Sequence, residues 1–283
     1  MPTPTATHTP TPIPTATHTP RPTPTPTPTS TPVPRAVIAD FNGDSGPDFV
    51  LQKTSPHYTA VLYLANNVAI GGGFGPTLPA VWSLRCAADF NGDGHTDYAL
   101  LNVVNGQTVI IYLSGLSVIG VAFGPSLPSG WELVAAADFN GNGHPDYVLY
   151  NPGTGQIVIV YLNNNVVVGV GFGPILPAAW SLVAVADFNG DGHPDFALFN
   201  SSTGQTVIAY LSGVTVIGAA LGPTLPPGWP LVAAADFDGG GHPDYLLYNV
   251  NTRQTVIGYL NNNVLVNAAL GPVLPAGWSL VGR

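Results

Sequence analysis

The sequence predicts an all-β protein, a five-bladed β-propeller of 49-residue, four-stranded repeats preceded by an extended, polyproline-II-like arm. Tryptophan recurs with this period, at Trp82, Trp131, Trp180, Trp229 and Trp278. Within each unit, segments rich in Val, Ile and Tyr alternate with clusters of Gly, Asn and Pro, the composition of short strands and turns. Helical periodicity is absent, and the dense Gly and Pro would interrupt any helix of useful length.

The first element is an arm, residues 1–34, which holds 13 Thr, 12 Pro and no carboxylate and therefore cannot build a core. Its composition favours polyproline II, which would span roughly 100 Å at ~3.1 Å per residue. Dense threonine beside proline is typical of O-glycosylated stalks, and a disordered linker is the alternative. The predicted glycosylation positions are Thr3, Thr5, Thr7, Thr9, Thr11, Thr15, Thr17, Thr19, Thr23, Thr25, Thr27, Thr29 and Thr31.

The second element is the propeller domain, residues 35–283, with repeats at 40–88, 89–137, 138–186, 187–235 and 236–283. In the third repeat we predict strands at 133–138, 146–151, 156–162 and 166–172. Their apolar runs are mostly continuous, as expected of a sheet buried on both faces. A 49-residue unit suits a propeller blade better than a β-solenoid coil, which is usually shorter.

The two ends of the domain pose a question of closure. Residues 35–40 and 278–283 both match the first strand of a repeat, so the five units carry one strand more than five blades need. Either the two end strands share the seam of the ring, or one of them pairs with a neighbouring molecule through an open edge.

An acidic loop follows the first strand of every repeat, as in DFNGDGHPDF at residues 187–196. Asp187, Asn189, Asp191 and Asp195 occupy loop positions 1, 3, 5 and 9, and Gly192 at position 6 permits a sharp turn. Ca²⁺ prefers six to eight hard oxygen ligands, whereas zinc favours imidazole and thiolate. The alternative is a set of polar turns with Asx caps.

All 14 aspartates of the chain lie in these five loops, which makes simple polar turns the weaker explanation. We therefore predict up to five Ca²⁺ ions, bound most weakly at the Asp236 loop, where Gly240 occupies position 5. The remaining predicted ligands are Asp40, Asn42, Asp44, Asp48, Asp89, Asn91, Asp93, Asp97, Asp138, Asn140, Asn142, Asp146, Asp236, Asp238 and Asp244.

DFNGDGHPDF before an apolar strand, together with FGP before the next unit, resembles the FG-GAP (VCBS-type) repeat of integrin α-chain propellers and many bacterial surface proteins. The resemblance covers residues 35–283. It implies that the acidic loop joins the first two strands of a blade and binds Ca²⁺.

Composition narrows the function classes. A formal charge of −9 with only six Lys and Arg argues against nucleic acid as a partner. No apolar run reaches the ~18–20 residues of a membrane helix, so we expect a soluble chain without a membrane span. The single cysteine, Cys86, excludes an internal disulfide framework and is expected to be buried.

Nearly every ionisable residue repeats with the 49-residue period, whereas catalysis needs one asymmetric constellation. His95, His144, His193 and His242 should be spread around the ring and face solvent. The unrepeated Glu132, Lys53, His57 and Arg253 form no recognisable catalytic set. We therefore predict that the protein is not an enzyme.

These observations favour an extracellular or cell-surface structural or adhesive glycoprotein, in which a calcium-stabilised propeller is linked or assembled, as in a fibril, through the glycosylated arm. Predicted partners are further copies, through the arm or the end strands, and glycans. The alternative is a carbohydrate-binding, lectin-like propeller, and a polysaccharide-active enzyme ranks third.

Overall fold

The structure is a computed structural model, and it describes residue 1, residues 35–53 and residues 57–280. Residues 2–34, and with them every predicted glycosylation threonine, lie outside the described residues, as do residues 281–283. In the described ranges the chain forms 21 strands and no helix, which confirms the all-β prediction. Accordingly, nothing in those ranges is a helix long and apolar enough to cross a bilayer.

The strands form five antiparallel sheets of the same order, one per blade, as predicted. The innermost strands are β1 (Ile38–Ala39), β5 (Trp82–Ala88), β9 (Glu132–Ala137), β13 (Trp180–Ala186) and β17 (Leu231–Ala235). The second strands are β2 (Asp48–Lys53), β6 (Asp97–Asn102), β10 (Asp146–Asn151), β14 (Asp195–Asn200) and β18 (Asp244–Asn249). These second strands are almost wholly buried, because sheets of neighbouring blades cover both of their faces.

Two further strands complete each blade towards its rim. The third strands are β3 (Tyr58–Ala65), β7 (Gln107–Ser114), β11 (Gln156–Asn163), β15 (Gln205–Ser212) and β19 (Gln254–Asn261). The outermost strands are β4 (Val68–Thr77), β8 (Ser117–Ser126), β12 (Val166–Ile175), β16 (Thr215–Thr224) and β20 (Val264–Val273). Each outermost strand contacts both of its counterparts in the neighbouring blades, and β20 contacts β4, so the ring is closed.

An aromatic pair joins the cores of adjacent blades at all five junctions. The phenylalanine at loop position 2 of one blade packs against the aromatic residue at position 10 of the next, with ring centroids 5.7–6.3 Å apart. Four of the five pairs are edge-to-face, a geometry that stabilises a core beyond the area it buries. The pairs are Phe41–Tyr98, Phe90–Tyr147, Phe139–Phe196, Phe188–Tyr245 and Phe237–Phe49.

The seam of the ring is closed within one chain. β21 (Trp278–Leu280) pairs with β2 through Leu51↔Leu280, and β1 pairs with the other half of β2 through Ile38↔Phe49. The two chain ends thus lie end to end and together make the innermost strand of the first blade. This resolves the question left open by the sequence in favour of a shared seam.

Candidate metal centre

The aspartate at loop position 1 organises the turn through backbone hydrogen bonds. In the fourth loop, the Asp187 carboxylate accepts from Gly190 N at 2.8 Å, Asp191 N at 3.2 Å and Gly192 N at 2.8 Å. Gly190 and Gly192 have φ values of +74° and +85°, a left-handed conformation that glycine adopts without steric cost. The glycines of the motif therefore allow one carboxylate to accept hydrogen bonds from three backbone N–H groups.

Positions 3 and 5 form the exposed rim of the loop. Asn189 donates from Nδ2 to Asp191 Oδ2 at 2.9 Å and accepts at Oδ1 from Asp191 N at 3.0 Å. Asp191 Oδ1 also accepts from His193 N at 2.9 Å. The hydrogen bond from Asn189, followed by that from the His193 backbone, lowers the pKa of Asp191. The rim carboxylate is thus held in its ionised form.

Position 9 is different, because its carboxylate is buried inside the blade. Asp195 has no exposed surface; its Oδ2 accepts from Phe188 N at 3.0 Å and its Oδ1 from Leu211 N at 2.8 Å. These two bonds connect the start of the loop to the third strand. Equivalent pairs of bonds are formed by Asp48, Asp97, Asp146 and Asp244.

Burial raises the pKa of all five position-9 carboxyls, against the opposing effect of their backbone hydrogen bonds. For Asp97 and Asp244 the pKa rises to about 6. Our sequence reasoning treated these residues only as metal ligands and missed their structural role. The clue was present in the sequence, since position 9 is Asp in all five loops whereas positions 3 and 5 vary.

The loops differ as the sequence predicts at positions 5 and 6. Ser45 takes the place of glycine at position 6 of the first loop and still adopts φ +69°. In the third loop, Asn142 donates from Nδ2 to Leu162 O at 2.9 Å, so its side chain turns towards the third strand. In the fifth loop, Gly240 contributes only its N–H, which Asp236 and Asp238 accept at 3.0 and 2.9 Å.

The fifth loop nevertheless brings three carboxylates together. Oxygen atoms of Asp236, Asp238 and Asp244 all lie within 4.8 Å of one another. The reason is that Asp238 replaces the position-3 asparagine of the other four loops and so supplies the charge that Gly240 lacks. This set of hard anionic oxygens fits Ca²⁺ or a similar cation. The relative affinity of the five loops stays a prediction.

Two of the loops also contact the loop that precedes them around the ring. Thr96 Oγ1 donates to Asp40 O at 2.5 Å, and His144 Nδ1 lies 3.3 Å from Phe90 O. His95 and His193 are exposed, as predicted, but His144 and His242 are half-buried. The position-7 histidines are distributed around one face of the ring and do not converge on a common site.

The structure does bring unrepeated charged residues together at the axis. Arg35 donates from Nη1 to Glu132 Oε2 at 3.2 Å and from Nε to Leu182 O at 2.8 Å, and Arg85 lies nearby. Glu132 is among the unrepeated residues that the sequence singles out, whereas the two arginines were missed. A signal was available, because Arg85 occupies the position that Val134, Val183 and Val232 hold in the following repeats.

The fold and the loops define the class of protein: a β-propeller with an Asp-rich loop between the first two strands of every blade. A model of the FG-GAP-like repeat matches residues 89–149, 138–198 and 187–247. These overlapping matches span more than half of the chain, so the protein belongs to the FG-GAP-like repeat family, as the motifs predicted. No match was found among curated proteins.

Several solved structures align with this chain. The pore form of the Photorhabdus luminescens Tc holotoxin is 17% identical with a TM-score of 0.45, over 86% of this chain and 12% of that one. A protein of unknown function from Bacteroides caccae is 12% identical with a TM-score of 0.44, over 78% and 71%. An auxiliary nutrient binding protein from Bacteroides thetaiotaomicron is 8% identical with a TM-score of 0.49, over 84% and 56%. This chain therefore spans a small part of the first of these proteins and about half of the third.

Proposed function

We propose that the protein is a non-enzymatic, extracellular or cell-surface scaffold whose propeller is stabilised by Ca²⁺ and whose role is structural or adhesive. One observation supports it most. Every blade carries an acidic loop, and the buried position-9 aspartate of that loop is hydrogen-bonded to the third strand of the blade. An ion bound in the loop would therefore stabilise the blade itself.

The charge distribution explains why an ion is needed. The loops contain two or three carboxylates each, and like charges held this close repel one another. When bound, Ca²⁺ would neutralise them, held by the side-chain oxygens at loop positions 1, 3, 5 and 9 and, in the fifth loop, by Asp236, Asp238 and Asp244. A ligand that binds only the folded state stabilises it by mass action. Calcium sites of extracellular modules bind with affinities of ~10⁻⁴–10⁻³ M, and we expect affinities in this range here.

The rim of the propeller supports a role in assembly or adhesion. The five outermost strands contain no charged residue, although they are ten residues long and lie at sheet edges. They expose large apolar side chains, among them Phe74, Phe123 and Phe172, which are 67–76% exposed. Soluble proteins usually protect such edges with charges or proline. Each outermost strand has a proline only as its ninth residue, so its first eight residues carry neither kind of protection. This part of the rim is a surface on which a second copy or another partner would pack.

The arm completes this proposal. Glycosylation at the arm threonines would give a stiff, hydrated connector between propellers, and the propellers would be the beads of a fibril. The seam is closed within one chain, so association through the end strands would require an exchange of β21 between copies. Association through the arm and the rim requires no such exchange.

Two measurements test the proposal separately. Thermal melts of the purified protein should show a higher melting temperature in Ca²⁺ than in EDTA, with Mg²⁺ at the same concentration as the control. An EDTA melt identical to the Ca²⁺ melt would contradict calcium stabilisation. Electron micrographs of the native material should show filaments with a regular axial repeat, and dispersed single rings would contradict the assembly.

A further inference from the structure

A cavity lies on the axis of the propeller, lined by three consecutive residues from each of four innermost segments and by two from β17. The lining residues are Ala36, Val37, Ile38, Arg85, Cys86, Ala87, Val134, Ala135, Ala136, Val183, Ala184, Val185, Ala233 and Ala234. Its volume is about 90 Å³, several times the space that one water molecule needs, so the cavity has room for a small organic molecule.

Arg85 is the one charged residue among those that line the cavity. Its Nε is buried and has no hydrogen-bond partner among the residues that the structure describes. A buried donor of a charged group without a partner costs about 1–3 kcal/mol or more, so native proteins rarely leave one. Arg85 is therefore placed to donate to a group inside the cavity.

The charges around Arg85 indicate which net charge a ligand in the cavity should carry. Burial lowers the pKa of Arg85, the charge of Glu132 opposes this effect, and the charge of Arg35 adds to it, so both charges lie close enough to act on Arg85. Glu132 is already bonded to Arg35 at 3.2 Å. Two arginines and one glutamate leave a net charge of +1, which a single monoanion would balance.

The shape and lining of the cavity define the class of ligand. A guanidinium group binds the two oxygens of a carboxylate in a bidentate manner. The rest of the wall consists of Ala, Val, Ile and Cys side chains, which suit a short aliphatic tail. Phosphate fits less well, because a large share of it is a dianion near neutral pH and because its tetrahedral oxygens leave no aliphatic part to pack against this wall.

We propose that the axial cavity binds one small monocarboxylate anion per chain, with Arg85 as its main ligand. This site is independent of the acidic loops, which follow the ends of the innermost strands, whereas Arg35 and Glu132 lie at their beginnings. It is also independent of the proposed calcium-stabilised function.

Acetate is the probe, titrated calorimetrically into the full chain at constant ionic strength, with chloride in a parallel titration. We expect one acetate site per chain in the wild type. Arg85→Val should weaken binding ~10- to 100-fold, the effect of losing hydrogen bonds to a charged group. This variant restores the residue of three other blades, so it should fold. Lys53→Gln, which removes a positive charge from β2 outside the cavity lining, should bind acetate like the wild type.

Arg85→Lys provides a second variant that keeps the charge but loses the bidentate geometry, and it should bind more weakly than the wild type. The proposal is overturned if the wild type binds no acetate, if Arg85→Val binds acetate as tightly as the wild type, or if chloride binds as tightly as acetate. One-site binding that depends on Arg85 and is specific for acetate supports it.

Discussion

At the scale of single residues, the acidic loop contains aspartates of two kinds. The rim aspartates, such as Asp191, are exposed and bond within the loop. The position-9 aspartates, such as Asp195, are buried and bond to the backbone on two sides. The exposed aspartates are thus candidate ion ligands alone, whereas the position-9 aspartates, also candidate ligands, hold the loop to the third strand of the blade.

This division predicts that two conservative substitutions have different effects on the free energy of unfolding in the absence of metal. Asp195→Asn places an amide NH₂ where two backbone N–H groups need acceptors, and should lower the free energy of unfolding in EDTA by about 1.5–3 kcal/mol. Asp191→Asn reproduces the third loop, which has Asn142. It should change the free energy of unfolding little in EDTA, but it should reduce the increase in that free energy caused by Ca²⁺. Urea unfolding in EDTA and in Ca²⁺ measures both effects. Equal losses in EDTA would contradict the division.

The buried carboxyls also predict an unusual pH dependence for the ion-free protein. Burial raises the pKa of Asp97 and Asp244 from the ordinary value of 3.8 to about 6. Between these values the folded protein binds more protons than the unfolded chain, so the free energy of unfolding should fall as the pH rises from about 4 to above 6. Denaturant midpoints in EDTA across this range test the sign.

Calcium provides the control for that experiment. If Ca²⁺ binds the ionised carboxylates as proposed, the fall in the free energy of unfolding with rising pH should shrink or reverse when Ca²⁺ is present. If the denaturant midpoint of the ion-free protein increases steadily from pH 4 to above 6, these carboxyls are already ionised in the folded state at the lower pH.

At the scale of elements, a contact between the third and outermost strands explains the Gly-Pro pair of the FGP motif, which reads LGP in the fourth blade. Thr206 Oγ1 donates to Pro223 O at 2.7 Å, across the bulge at which the register shifts between Gln205 and Val207. A Cβ on Gly222 would lie 2.4 Å from that hydroxyl oxygen. Glycine is thus required for close packing, and proline is tolerated because it lies at a bulge in an edge strand.

Two Gly→Ala substitutions in one strand should distinguish the steric effect of this contact from the general effect of replacing glycine in a strand. Gly222→Ala forces the Thr206 side chain to move and should destabilise the protein by about 1–3 kcal/mol. Gly218→Ala is the matched control, because its Cβ would meet only Tyr210 Cδ2 at an ordinary 3.5 Å. Thermal and urea unfolding of both variants measure the difference, and equal stability would refute the steric explanation.

At the scale of the whole molecule, the ring is held by a composite strand made from both chain ends. Trp278 packs near Phe74 of the first blade, with ring centroids 6.2 Å apart, and joins the core cluster at the seam. Leu280 pairs with Leu51 at the place that residue 35 would take if it paired as its counterpart Leu133 does with Leu149 in the third blade. Arg35 is therefore displaced from the strand, and its side chain extends to Glu132 and Leu182.

Removal of residues 278–283 should open the ring. Trp278 is half-buried, so the loss of its packing should cost less than the ~3–5 kcal/mol of a fully buried tryptophan, but the melting temperature should still fall clearly. The exposed edge of β2 should also make the truncated chain associate, which light scattering during size-exclusion chromatography would detect. A synthetic peptide of residues 278–283 added in trans should restore part of the stability. A truncated chain that melts like the full chain would contradict closure by β21.

Much of this architecture was predictable from the 49-residue period. In the third repeat the predicted strands agree with β9, β10 and β11 to within one residue at either end, because turn residues bound them clearly. β12 extends beyond the predicted end at residue 172 to Ile175, since its register resumes at Gln156↔Ile175 after the bulge at Gly173 and Pro174. A bulge is decided by pairing with another strand and leaves little local signal.

The sequence by itself determined the repeat, the strand composition and the positions of the acidic loops, because these depend on local chemistry that recurs at a constant spacing. Only the tertiary structure decided how the ring closes, which aspartates are buried and which residues meet at the axis. Those features arise when segments far apart in the chain become neighbours, as Arg35 and Glu132 do, and a periodic pattern carries no information about residues that break its period.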